Sequence, residues 1–168
     1  MEDLLTSVRA VLAATPARWQ ALADAVPAEL LTLAPAPGEW SALACLQHLI
    51  DTERDVFPVR IEAFLAGRDL AAWDPADSRG SDTPAELAAA FARLRAANLA
   101  LLDRVTPGDL VREARHAELG MVTLAEMLHE WAGHDLMHAV QAERALLQPF
   151  IAGCGPWRPY FRDHDTGR

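Results

Sequence analysis

Cysteine is scarce in this sequence. There are two in 168 residues, Cys45 and Cys154, far apart and with no CxxC pair, so a disulfide framework and a cysteine-based zinc finger are both poor readings. No apolar run approaches the roughly 20 residues of a membrane span, and no membrane partner is expected. Positive charge is also short, with 15 Lys and Arg against 24 Asp and Glu and a formal net charge of −9. The arginines are spaced among acids rather than gathered in a run. Binders of a phosphate backbone concentrate basic residues, so no nucleic-acid partner is expected. The opening stretch MEDLLTSVRAVLAATPARW starts on acids and lacks the basic region of a secretory signal, which predicts a cytoplasmic protein.

What is present is a helical pattern. Leu4, Val8, Leu12, Trp19, Leu22 and Val26 recur at three- and four-residue intervals and predict a first helix over 2–26. Pro16 removes an amide donor inside it, so a kink near Ala13 to Thr15 is expected. Residues 27–38, with three prolines and a glycine, read as a linker crossing the end of a bundle. A second helix starts at the N-cap Ser41 and ends at Gly67, with Leu43, Leu46, Ile50, Phe57, Ile61 and Phe64 as its core face and a bend one turn ahead of Pro58. His48 lies beside that face, on a stripe with Cys45, Thr52 and Asp55. Residues 67–82 form a long loop rich in Asp, Gly and Ser, able either to carry function or simply to span the bundle.

Thr83-Pro84-Ala85-Glu86 is a capping box with proline at the first helical position, and opens a third helix. Its stripe is Leu87, Phe91, Leu94, Asn98, Leu101 and Val105, and Pro107-Gly108 stop it. Residues 109–122 read as a loop with a short extended piece. The fourth helix begins at Thr123, with Glu126 three residues on, and runs to Leu147. Most of its circumference is apolar or small, which calls for cover by other helices or by a second subunit. A tail over 149–168 is expected to pack irregularly on the bundle through Trp157, Tyr160 and Phe161. Four amphipathic helices without a convincing strand predict an all-α, four-helix-bundle domain over 1–148.

The chemistry concentrates in the fourth helix. His134 and His138 are four residues apart and so project from one face, one turn apart. Met127, Trp131 and Gln141 share that stripe, which points the pair inward. Two buried neutral imidazoles with no shared partner are hard to satisfy; two that close on one metal ion are not. A third ligand is then needed, and His48 is the only histidine on another predicted core helix. Three imidazoles around one ion suit zinc, nickel or iron and leave a position for water. His129 faces another side of the helix, His116 falls in a loop and His164 in the tail. Glu130, one turn before His134, is a candidate general base or fourth ligand, or else a solvated glutamate. Asp135 and Gln141 either orient the ligands from behind or lie at the surface. Cys45, one turn before His48, reads as a small core residue or a thiol near the metal.

Nearby signatures fail. His129-Glu130…His134 is one residue too long for the HExxH of metalloproteases, and a single Glu126-x-x-His129 cannot build a di-iron site. The phrase EWSALACLQHLIDTER at 39–54 does resemble the W-S-x-x-x-x-x-x-H-L-x-x-x-E segment of the DinB/YfiT-like superfamily. LGMVTLAEMLHEWAGHDLMHAVQAER at 119–144 resembles its G-x-x-T-L…H-D-x-x-H-x-x-Q motif. The resemblance implies a bundle of up-down-down-up topology, frequent homodimers, and a divalent metal held by three histidines, here His48, His134 and His138. It also implies kinship with S-transferases and an isomerase that use a low-molecular-weight thiol. The expected activity is therefore a metal-dependent enzyme for a small-molecule substrate, activating such a thiol. A hydrolase activating water and a non-enzymatic dimeric metal- or ligand-binding module are the alternatives. Fold kinship does not supply the substrate.

Overall fold

The computed structural model describes residues 3–73 and 82–166, and these are mainly helical. The first bundle helix, α1 (Leu4–Ala25), is continuous through Pro16. A proline at that position leaves the carbonyl four residues back, on Leu12, without its helical donor. The linker holds a helix the periodicity did not predict, α2 (Ala28–Thr32), because Leu31 is pulled into the core while Pro27 starts the turn.

The second predicted helix is two. α3 (Ala42–Asp55) is capped by Ser41, whose Oγ accepts from the Ala44 amide at 3.1 Å. α4 (Phe57–Ala66) follows after a break at Val56, where Pro58 in the first turn of the new helix interrupts the bonding. Gly67 closes α4 in the left-handed region, φ 65°. Of the loop expected over 67–82, residues 74–81 lie outside the described residues. α5 (Pro84–Leu102) and α6 (Leu124–Gly153) both begin with the expected capping boxes, at Thr83/Glu86 and Thr123/Glu126.

Three expectations need correction. The stretch at 109–122 contains a 3₁₀ turn (Pro107–Val111) and then a hairpin, β1 (Glu113–His116) paired antiparallel with β2 (Gly120–Thr123). Ala114 is its buried anchor, and Leu70 donates its amide to the Arg115 carbonyl. Strands of four residues are too short for alternation to announce them. The helix expected to end at Leu147 continues through Pro149 to Gly153, anchored by buried Ile151. Beyond it the tail forms a 3₁₀ segment (Gly155–Phe161) against α6, with Phe161 half-buried and Trp157 and Tyr160 exposed. The tail is also held by polar bonds: Gln148 donates to the His164 carbonyl and accepts from the Thr166 amide and hydroxyl.

The main helix contacts are α1 with α5, α5 with α3, α3 with α6, and α6 with α1. Specific pairs give the directions. Arg9 near the start of α1 meets Asp103 just past the end of α5, so these are antiparallel. Leu46 clusters with Ala88, while Glu53 meets Arg95, so α3 and α5 run parallel. Phe57, following α3, stacks on Trp131, while Trp40, before α3, stacks on His138, so α6 opposes α3. This is the up-down-down-up bundle. Its core has two apolar clusters, one around Leu12, Phe57, Phe64, Leu128 and Trp131, the other around Trp19, Leu46, Leu49, Ile50 and Phe91.

Candidate metal centre

The three singled-out histidines come together. One ligand atom from each of His48, His134 and His138 lies within 4.8 Å of the others. The Nε2 atoms of His48 and His134 are 3.0 Å apart. Two imidazole nitrogens that close either share a proton or share an ion. Ligand nitrogens on one tetrahedral metal, each at about 2.0–2.1 Å from it, lie roughly 3.3 Å from one another, so the spacing is near what an ion requires. On His138 the roles are set by Gln141, whose Oε1 accepts from Nδ1 at 2.9 Å. The ring hydrogen then sits on Nδ1 and the lone pair on Nε2.

All three rings are kept neutral. Burial lowers the pKa of His134 most, to about 3, with His138, His48, Arg60 and Arg95 adding repulsion. Burial also lowers His48, helped by His138 and opposed by Asp51. In His138 burial again dominates, partly offset by the Gln141 bond and by Asp135. Neutral imidazole is the form that ligates a metal. The Nδ1 of His134 is buried without a hydrogen-bond partner among the described residues. If the ring hydrogen is on that atom, the Nε2 facing His48 is a bare lone pair, which a cation at the centre would satisfy. The donor set therefore fits a divalent transition metal.

The surroundings are aromatic. Trp40 stacks on His138 with ring centroids 5.5 Å apart, Trp73 lies 6.0 Å from His48, and Phe57 meets His134 edge-on. Trp131, by contrast, is wholly in the core. Trp40 and Gln141 also line a surface cleft of about 680 Å³ with Glu39, Met137 and Arg144. The two residues that hold His138 thus form part of a cleft wall.

Other candidates fall outside the convergent group. Glu130 is exposed at the surface of α6, yet the protein around its carboxyl raises its pKa, against the pull of Arg60. His129 and His164 are exposed, and His116 sits on β1 with its Nε2 3.2 Å from Arg60. Cys45 is a core residue whose thiol burial pushes up to about 12. Glu126 is used in the capping box.

Sequence reasoning missed a cluster beneath the histidines. Arg95 is 1 % exposed, Glu53 1 % and Asp135 0 %. The guanidinium donates from Nε and Nη2 to both Glu53 oxygens at 3.0 Å, and from Nη2 to Asp135 at 2.7 Å. Its Nη1 donates to the Leu12 carbonyl, the one Pro16 leaves free, at 2.7 Å. Trp131 Nε1 and Asn98 Nδ2 also donate to the Glu53 carboxylate. Burial opposes the charge on Arg95, but the bonds and charges of Asp135 and Glu53 more than reverse this and raise its pKa. Asp135 is thus neither at the surface nor bonded to a ligand histidine; Gln141 does contact one. The available signal was Phe91, Arg95 and Asn98 at i, i+4 and i+7, with acids on two facing helices.

A four-helix bundle with three convergent histidines beside a cleft defines the class as a candidate metal-centred bundle protein. The chain belongs to the DinB superfamily, whose family model matches residues 12–142. Among solved structures it is similar to YfiT from Bacillus subtilis, described as a probable metal-dependent hydrolase with an unusual four-helix bundle topology. That match has a TM-score of 0.74 at 19% identity and covers 86% of this chain and 87% of YfiT. No curated protein matches the chain. No helix among the described residues is long and apolar enough to cross a membrane.

Proposed function

We propose that this protein is a metal-dependent enzyme in which His48, His134 and His138 hold one divalent transition metal (zinc, nickel or iron) and a small-molecule substrate is hydrolysed beside it. The observation that carries the reading is the convergence of three neutral imidazoles from two helices on one point next to a cleft. Such an ion, when bound, supplies a Lewis acid that lowers the pKa of a bound water or thiol toward neutrality. The description of YfiT as a probable metal-dependent hydrolase supports water as the nucleophile. Gln141 and Trp40 fix the ring of His138, and Trp73 and Phe57 flank the other two rings. Glu130, exposed on α6 one turn before His134, is the candidate base for a water at the ion.

Transfer of a low-molecular-weight thiol is the second reading, supported by the kinship that the resemblance of the two sequence phrases implies. Cys45 is buried with its thiol raised to about 12, so a reactive thiolate at the centre would come from a small molecule and not from Cys45. The exposed Leu136, Met137, Val140 and Phe150 on α6 support a homodimer.

Metal content measured by plasma mass spectrometry on untagged protein tests the centre. About one metal per chain in wild type, lost in His134→Ala, supports it. No metal in either after reconstitution with zinc, nickel and iron overturns both enzymatic readings. Ester, amide and phosphoester panels, run with and without chelator beside a thiol-conjugation screen, separate water from thiol. Metal-dependent stability without turnover in any panel indicates a binding module.

A further inference from the structure

The buried cluster of Glu53, Arg95 and Asp135 has no part in the reaction proposed above, yet it sits directly behind the histidines. Glu53 is on α3, five residues after His48, and Asp135 is next to His134 on α6. Arg95 reaches both from α5. We propose that Arg95 is a positioning residue for the three-histidine centre, holding α3 and α6 at the separation and register that bring His48 against His134 and His138. The inference rests on reading those histidines as a metal site.

The 3.0 Å approach of His48 to His134 joins two separate helices, and is only as constant as their relative position. Ligand distances at a metal are defined to about 0.2 Å, whereas apolar faces tolerate larger shifts by repacking. A guanidinium is a rigid planar fork. Arg95 uses it on both carboxylates, with bonds of 3.0 and 3.0 Å to Glu53 and of 2.7 and 3.3 Å to Asp135. Trp131 on α6 adds a 2.7 Å bond to Glu53 on α3. A purely stabilising role explains the cluster poorly, because apolar residues of similar volume generally replace buried ion clusters at little cost in stability. What an apolar replacement lacks is a fixed direction and distance.

Cobalt(II) titration of the full chain tests this, since its visible absorption reports coordination geometry. Arg95→Lys keeps the charge and removes the fork. Leu102→Ala, a core truncation at the end of α5, is the control for destabilisation alone. Wild type is expected to bind cobalt with intense absorption bands. Arg95→Lys should bind about tenfold more weakly or worse, in line with losses behind a ligand shell, with altered bands. Leu102→Ala should keep the wild-type affinity and spectrum. Arg95→Lys that is folded and matches wild type in both overturns the proposal, as does a Leu102→Ala protein that shows the same losses. If Arg95→Lys does not fold, Glu53→Gln takes its place with the same two outcomes. A wild type that binds no cobalt removes the metal reading itself, and the proposal with it, a result distinct from a silent Arg95 variant.

Discussion

Gln141→Leu isolates the contribution of one hydrogen bond to the centre. Gln141 Oε1 accepts the Nδ1 hydrogen of His138 at 2.9 Å, which leaves Nε2 as the lone-pair atom. Leucine has similar bulk and no acceptor, so the ring becomes free to place its hydrogen on Nε2, where it blocks ligation. Loss of such a partner typically costs 10–100-fold in metal affinity, which is roughly 1.4–2.7 kcal/mol. Trp40, stacked on the same ring at an interplanar angle of 14°, still limits its rotation, which places the expected loss near the lower end, about tenfold. The fold should hardly notice, since a neutral hydrogen bond contributes only about 0.5–1.5 kcal/mol. Gln141→Glu should act in the opposite sense, because a carboxylate partner makes the imidazole a stronger ligand. Zinc competition against a chromophoric chelator at pH 7.5 measures both. Equal affinity in wild type and Gln141→Leu would refute the assignment of His138 Nε2 as a ligand.

Trp131→Phe removes the indole donor to Glu53 and some core volume at a position with no solvent exposure. A lost bond to a buried charge plus a small cavity should cost about 3 kcal/mol, read by urea unfolding; a loss below about 1 kcal/mol would show that the bond contributes little. In metal-free protein, the pKa of His134 falls from 6.5 unfolded to about 3 folded. The unfolded chain therefore binds the extra proton between those values, so this contribution is complete above 6.5 and is lost as pH falls toward 3. His134→Gln should flatten the pH dependence of unfolding in that window, and an unchanged slope would contradict the shift.

The histidine centre was legible because helical spacing is a short-range property. His134 and His138 share a face through four-residue separation alone, and His48 followed by elimination among core helices. The caps at Ser41, Thr83 and Thr123 were legible for the same reason, being built within a few residues of chain. Arg95 was not. In α5 it lies among Phe91, Leu94 and Asn98, and a charged side chain on its own reads as solvated. Only its partners on three other helices make burial tolerable, and those pairings span 40 or more residues of sequence. The β1–β2 hairpin was read only as a short extended piece because its strands are short, and α2 was missed because Pro27 and Pro35 on either side of it read as a continuous linker.

Pro16 gives the cluster a consequence for the order of assembly. By freeing the Leu12 carbonyl it equips α1 with an acceptor that Arg95 uses, so every helix of the bundle holds part of one ionic centre. During synthesis α6 emerges last, and until it docks Arg95 and Glu53 remain open to water on that side. A three-helix intermediate would have nothing to close over these charges and little reason to persist. Arrival of α6 brings Asp135 and Trp131 to the cluster and His134 and His138 to His48 in the same motion. Completion of the fold and completion of the site are then one event, and a chain stalled before that event carries neither.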